Sequence, residues 1–94
     1  MYSIFFTNQA RRVFKKLPQD IQSKLKTEAI ALGQNPLAGE PLQGGHRQYR
    51  SLHVSHKGVA YRIIYQIISK VNSIVIVLAD KRENIYKRLE EMKL

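Results

Sequence analysis

The 94-residue sequence predicts an α+β domain, with helices packed on one face of a mainly antiparallel sheet. Apolar residues that alternate along the chain mark four strands, and apolar residues at helical spacing mark three helices. Only short turns separate the last three strands, as expected for antiparallel neighbours. The predicted order is β-α-α-β-β-β-α: an N-terminal strand, a two-helix hairpin, a three-stranded antiparallel meander and a C-terminal helix. We expect residues 1–94 to form a single domain.

The first third of the chain is predicted to form the opening strand and the helical hairpin. Alternating apolar side chains indicate a strand over residues 2–6. Thr7 supplies a hydroxyl that can cap a short amphipathic helix, and Pro18 ends that helix. Gly33 is a suitable stop for the second helix. The apolar stripe expected on this second helix consists of Ile21, Leu25, Ile30 and Leu32.

The rest of the chain is predicted to form a loop, the meander and the last helix. Glycine and proline recur over residues 34–46, which indicates a loop. Lys57 and Gly58 provide a turn short enough for a hairpin. The predicted strands span residues 49–54, 59–68 and 74–79, and the closing helix runs from residue 84 to the end.

The charge of the chain points to a polyanionic partner. Sixteen Lys and Arg residues against seven Asp and Glu residues give a net charge of +9. No carboxylate lies between Glu40 and Asp80, a stretch that carries five basic residues and all three histidines. Basic side chains without counter-charges form a surface that attracts phosphate groups. A merely soluble basic surface is the alternative.

Several classes of protein are not supported by the sequence. The chain has no cysteine, so it has neither a disulfide framework nor a thiolate nucleophile. It shows no paired carboxylates, glycine-rich phosphate loop or nucleophile elbow. A zinc site would depend on His46, His53 and His56, which is fewer than the usual number of ligands. We therefore predict no metal and no cofactor. No apolar run is long enough to span a membrane and no signal peptide is evident, so we expect a cytoplasmic protein.

A set of basic and phenolic side chains is the strongest candidate for a site. Arg62 lies within an otherwise apolar strand, and an unpaired buried charge is costly, so we expect it to face an open groove. Such a cluster can bind a phosphodiester and stabilise the charge that develops on it. Ordinary salt bridges, a solvated strand end and a core aromatic residue are the alternatives. The set consists of Arg50, Arg62, Lys81, Arg82 and Tyr86.

Four segments form a pattern that extends over nearly the whole chain. They are Pro41-Leu42-Gln43-Gly44, Tyr49-Arg50, Tyr61-Arg62-Ile63-Ile64-Tyr65-Gln66 and Lys81-Arg82-Glu83-Asn84-Ile85-Tyr86. Together with the opening strand and the basic helical hairpin, this pattern resembles the RelE/ParE toxin superfamily. The resemblance implies the RelE/ParE-like fold and the role of toxin in a type II toxin–antitoxin system.

Within that superfamily the residues resemble the RelE-like branch of mRNA interferases. The resemblance implies a metal-independent endoribonuclease that cleaves mRNA in the ribosomal A site, by attack of a ribose 2′-hydroxyl, and so inhibits translation. Arg62 matches the phosphate-binding arginine, Arg82 the transition-state arginine and Tyr86 the stacking tyrosine. Arg50 matches one of two basic strand residues, whereas Leu52 occupies the position of the second.

Arg50 or one of the two nearby histidines is therefore expected to assist proton transfer. Strand alternation points His53 away from Arg50, whereas His56 lies in the adjoining turn, so we favour His56. His53, Arg47 and Lys57 are then expected to contact RNA.

Two kinds of partner follow, together with two competing functions. The resemblance implies an antitoxin, and the basic, apolar hairpin predicts that its bound segment is acidic and amphipathic, in a toxin–antitoxin hetero-oligomer. The other partner is mRNA on the ribosome; no membrane partner is expected. The alternatives to mRNA cleavage are a ParE-like DNA gyrase inhibitor without catalytic activity and an inert basic binding module.

Overall fold

The computed structural model describes residues 1–43 and 48–92. It confirms the α+β class and the predicted order of elements, with one additional short strand. Single turns of 3-10 helix cover Pro36–Ala38 and Ser69–Val71. The main elements are β1 (Ser3–Phe6), α1 (Asn8–Lys15), α2 (Gln19–Leu32), β2 (Glu40–Pro41), β3 (Tyr49–His56), β4 (Val59–Ile68), β5 (Ser73–Lys81) and α3 (Arg82–Met92).

The strands form one sheet in the order β1-β5-β4-β3-β2. The predicted meander β3-β4-β5 is antiparallel, whereas β1 pairs with β5 in parallel at the edge. The turn between β3 and β4 consists of Lys57 and Gly58, both with positive φ (50° and 79°). This is the conformation that two-residue hairpins of type I′ require.

The additional strand, β2, lies in the segment predicted to be a loop. Glu40 pairs with Ser51 and Pro41 with Arg50 at the outer edge of the sheet. A strand of two residues has no recognisable alternation, and proline is tolerated at an edge because no further strand needs its missing N–H. The pairing brings Glu40 onto the sheet.

The helices cover both faces of the sheet, which corrects the prediction of a single covered face. The hairpin α1–α2 packs on one face, with Ala10, Leu25 and Leu32 in its core. Helix α3 packs on the other face, where Ile85 and Leu89 lie against the sheet. We call these the hairpin face and the α3 face.

The helical hairpin follows the sequence prediction closely. The Thr7 hydroxyl caps α1 by accepting a hydrogen bond from the Ala10 amide at 3.1 Å, and Gly33 stands at the C-terminal cap of α2. Ala29 occupies the core position expected for Ile30, whose side chain is 60% exposed. The apolar stripe of α2 therefore runs one residue earlier in its third turn.

A bulge in β5 changes which side chains reach the α3 face. Ile64 pairs with Leu78 and Tyr65 with Ile76, so Val77 is the extra residue. Val77 and Leu78 both belong to the core beneath α3. A bulge resets the alternation of the residues that follow it. Asp80 consequently lies on the α3 face instead of the hairpin face.

Within the part of the chain that the structure describes, no helix combines the length and apolar character needed to cross a membrane.

Candidate functional site

A row of polar residues crosses the α3 face of the sheet. His53 on β3 is the register partner of Arg62 on β4, and Arg62 is the partner of Asp80 on β5. Side chains at paired positions of antiparallel strands lie on the same face, about 5 Å apart at Cβ. The row therefore gathers an imidazole, a guanidinium and a carboxylate at one end of the sheet.

Arg62 is held against the first turns of α3. Its Nη1 donates a hydrogen bond to the Tyr86 hydroxyl at 2.9 Å, and its Cζ lies 5.7 Å from the centre of the Tyr86 ring. The Tyr86 side chain is 58% exposed. Among the described residues Arg62 has no carboxylate partner in an ion pair. The guanidinium and the aromatic ring are thus both available to a ligand.

Two neighbouring cavities adjoin Arg62 and share some of their lining residues. The smaller, of about 390 Å³, is lined by His53, Arg62 and Arg82 among others. The larger, of about 570 Å³, is lined by His53, Arg62 and Tyr86 together with residues of β2 and the end of α3. We call them the cationic cavity and the main groove. Because His53 and Arg62 line both, they mark the junction between them.

Asp80 fastens α3 to the sheet. Asp80 is 3% exposed, and its carboxylate accepts hydrogen bonds from the Arg88 Nε on α3 and from the Lys81 amide at 2.7 Å. A buried carboxylate is tolerated only when charged or polar donors surround it. The pair thereby positions the helix that carries Tyr86. Sequence reasoning missed it, because the alternation of β5 changes at the bulge.

The structure does not bring Arg50 into the site. Arg50 is the register partner of Tyr65 and lies on the hairpin face. Its Nε donates to the Gly39 carbonyl at 3.1 Å, and Nη2 bonds the Gly39 and Leu37 carbonyls. Arg50 therefore holds the segment before β2, which corrects its predicted place beside Arg62.

His56 and Lys57 also lie away from the groove. Both contact the Asp20 carboxylate at the N-terminus of α2, each at 3.1 Å. A hydrogen bond from Lys57, which has the larger effect, and one from His56 lower the pKa of the Asp20 carboxyl below its usual 3.8. The sequence-based preference for His56 over His53 is corrected: His53 lies beside Arg62, because the alternation that turns it away from Arg50 turns it toward the α3 face.

The remaining predicted residues lie at the edge of the site or outside the description. Lys81 and Arg82 line a further cavity of about 400 Å³ at the start of β4 and the end of β5, and Arg82 also lines the cationic cavity. Arg47, predicted to contact RNA, lies outside the described residues. Within the described ranges, no three His, Cys, Asp or Glu side chains gather in a way that could hold a metal ion.

The main groove contains carboxylates that sequence reasoning did not place there. Glu40 from β2 and Glu90 from α3 both line it, together with Ser51. The long stretch without carboxylates between Glu40 and Asp80 predicts a purely basic site, but Glu40 and Glu90 approach from outside that stretch. Nothing in the local sequence indicates that residues 50 positions apart would meet.

The fold is that of a RelE/ParE-superfamily toxin. A family model described as a ParE-like toxin of type II bacterial toxin–antitoxin systems matches residues 4–90. The chain belongs to this family.

Individual relatives agree with that assignment. Toxin RelG of Mycobacterium tuberculosis is 34% identical over 89 residues, which cover 93% of this chain and 98% of RelG. A chain of the RelBE2 toxin–antitoxin complex from the same organism superposes with a TM-score of 0.74 at 32% identity, covering 86% of this chain and 98% of that one. An E. coli RelE variant in the free state has a TM-score of 0.76 over 99% of this chain and 98% of its own, but at 20% identity it supports the fold alone.

Proposed function

We propose that this toxin is a ribosome-dependent endoribonuclease that cleaves mRNA in the A site. The observation that carries the proposal is the Arg62–Tyr86 contact of 2.9 Å beside His53, at the junction of two cavities. At this junction Arg62 can bind a phosphate, Tyr86 can stack on a base and His53 can accept a proton. RelG, the relative at 34% identity, bears the name of RelE-type toxins.

In the proposed mechanism the scissile phosphate lies between Arg62 and Arg82. His53 accepts the proton of the ribose 2′-hydroxyl, whose oxygen attacks the adjacent phosphorus. The two guanidinium groups stabilise the additional negative charge of the five-coordinate phosphorus. The 5′ oxygen leaves and takes a proton from solvent, and the product carries a 2′,3′-cyclic phosphate.

His53 takes the role that the sequence assigned to Arg50 or His56. Its ring is exposed, lies on the same face as Arg62 and lines both cavities. A neutral imidazole can accept a proton, whereas the guanidinium of an arginine stays charged and cannot. Lys81 lines the neighbouring cavity and not the cationic cavity, so it is given no part in the chemical step.

The toxin is further proposed to bind an acidic, amphipathic antitoxin in a hetero-oligomer. Its relatives include chains solved in RelBE toxin–antitoxin complexes. The net charge of +9 favours an acidic partner, and exposed apolar residues such as Ile30 and Leu37 favour an amphipathic one.

Inhibition of DNA gyrase without catalysis is the second candidate. The matching family model is described by the name ParE. The two candidates make opposite predictions for purified ribosomes and for a gyrase supercoiling assay.

Primer extension on mRNA bound to purified ribosomes tests the proposal. The wild type is expected to cut within the A-site codon, and Arg82→Ala to reduce the single-turnover rate by at least about 100-fold with its fold intact. Arg12→Ala removes the same charge from an exposed position of α1 and is the matched control. Near wild-type cleavage by Arg82→Ala would remove Arg82 from the mechanism. Gyrase inhibition without mRNA cleavage would favour the second candidate.

A further inference from the structure

The segment of residues 36–43, which we call the strap, forms one wall of the main groove. Helix α3, which packs over β4 and β5, forms the other wall, and His53 and Arg62 also line the groove. The position of the strap therefore sets the width of the groove beside these two residues. The strap residues in the lining are Glu40, Pro41, Leu42 and Gln43.

The backbone of the strap is paired with the sheet over a short distance. β2 is two residues long and pairs with Ser51 and Arg50 at the outer edge. The Leu42 amide adds a hydrogen bond to the Tyr49 carbonyl at 2.9 Å. Strands of globular proteins usually have three residues or more, so a pairing this short holds its segment weakly.

Two side chains on the hairpin face tie the first half of the strap to the sheet. Tyr65 is 0% exposed; its hydroxyl donates to the Pro36 carbonyl at 2.6 Å and accepts from the Gly39 amide at 2.9 Å. Arg50, its register partner, donates from Nε to the Gly39 carbonyl at 3.1 Å and from Nη2 to the Leu37 carbonyl at 3.4 Å. Gly39 is thus held through both its amide and its carbonyl, directly before β2 begins.

Gly39 permits this attachment because it has no side chain. A Cβ at this position would lie 2.8 Å from the Ser51 carbonyl oxygen and 2.8 Å from the Tyr65 hydroxyl. Both distances are shorter than van der Waals contact, and neither the backbone of β3 nor a fully buried tyrosine moves aside easily in a close-packed interior. A side chain at residue 39 would therefore displace the strap from the sheet.

We infer that Tyr65 and Arg50 are positioning residues for RNA cleavage, which fix the strap from the hairpin face and thereby align the substrate on the α3 face. This inference rests on the proposed function. Neither residue belongs to the described lining of the main groove or of the cationic cavity, so both act through the strap and not on the phosphate. Attack by the 2′-hydroxyl depends on its alignment with phosphorus, and a displacement of about 1 Å can slow such a step by about 100-fold.

Single-turnover cleavage of mRNA on purified ribosomes, measured over a range of toxin concentrations in excess of ribosomes, tests the inference. Tyr65→Phe removes the hydroxyl and keeps the ring, and it is expected to lower the rate at saturating toxin by at least about tenfold. The half-saturating toxin concentration and the shape of the pH profile should match the wild type, because His53, Arg62 and Arg82 are retained. Tyr2→Phe removes a hydroxyl from the segment before β1, is the matched control and should keep the wild-type rate.

Substitutions of Gly39 and Arg50 separate alignment from chemistry. Gly39→Ala removes no functional group, so a fall in its saturating rate reports displacement of the strap. Arg50→Ala should also lower the saturating rate, whereas Arg50→Lys keeps a donor for the Gly39 carbonyl and should recover part of it. Arg12→Ala, which removes an exposed charge from α1, is the control for the lost charge.

The outcomes separate this inference from the proposed function. A wild-type saturating rate in either Tyr65→Phe or Gly39→Ala would overturn the inference and leave mRNA cleavage intact. A higher half-saturating concentration with an unchanged saturating rate would also overturn it, since that result reports a smaller folded fraction and assigns Tyr65 to stability alone. No cleavage by the wild type would remove the proposed function, and the inference with it.

Discussion

His53 and His56 lie three residues apart on β3, and their side chains occupy different environments. His53 is on the α3 face opposite Arg62, whereas His56 contacts Asp20 at the start of α2. Strand alternation predicts that residues an odd number of positions apart face opposite sides. The face that carries the groove therefore decides which of the two histidines lines it.

The pH dependence of cleavage distinguishes the two histidines. If His53 is the general base, the wild-type rate of single-turnover cleavage rises with pH, because only the neutral ring accepts a proton. His53→Gln is expected to lose this dependence and to slow cleavage by about 100-fold at neutral pH. His56→Gln keeps the wild-type profile and serves as the matched control. The reverse pattern would exclude His53 as the base.

At the scale of elements, the position of α3 depends on the buried Asp80–Arg88 ion pair. Asp80→Asn removes the charge that holds Arg88 and is expected to destabilise the protein by about 1–3 kcal/mol. The free energy of unfolding in urea measures this. A double-mutant cycle with Arg88→Ala should show a coupling energy of at least about 0.5 kcal/mol, as expected for residues in contact. Strict additivity of the two substitutions would show that the pair does not hold the helix.

A second contact, from Asp20 to the β3–β4 turn, makes the stability of the hairpin face depend on pH. Contacts with Lys57 and His56 lower the pKa of the Asp20 carboxyl from 3.8. A depressed folded-state pKa stabilises the protein above the unfolded value, and this contribution is lost as pH falls through the folded value. Asp20→Asn is expected to lower the urea midpoint at pH 7, with a difference from wild type that shrinks below pH 3.8.

The control for Asp20 is Glu91→Gln, which removes a carboxylate from the exposed side of α3. The midpoint of its unfolding in urea should equal that of the wild type at every pH. A wild-type advantage over Asp20→Asn that is constant into acid would show that the charge of Asp20 is not what stabilises the contact.

At the scale of the whole molecule, the charge of +9 governs association. The antitoxin is first identified by co-purification from the native operon. Its association rate with the toxin is expected to fall several-fold as ionic strength rises from about 0.05 to 0.5 M, while dissociation changes little, because salt screens long-range attraction. An association rate independent of salt, or a basic partner, would contradict the proposed electrostatic match.

The sequence by itself determined the features that depend on near neighbours. Alternating apolar residues gave the strands of the meander, the Thr7 hydroxyl gave the start of α1, and Lys57-Gly58 gave the hairpin turn. Arg62 could be assigned to a groove because a charge in an apolar strand needs an open side. Periodicity and capping act over a few residues, so they can be recognised without knowledge of the fold.

Only the tertiary structure decided which of these residues meet. The bulge at Val77 turns Asp80 toward α3. Because α3 packs on the face opposite the hairpin, the groove is lined by His53 and not by Arg50 or His56. Pairing of the two-residue β2 with β3 brings Glu40 into the groove that Glu90 also lines. These outcomes depend on strand register and on the face that each helix covers, which are set by packing between segments far apart in the chain.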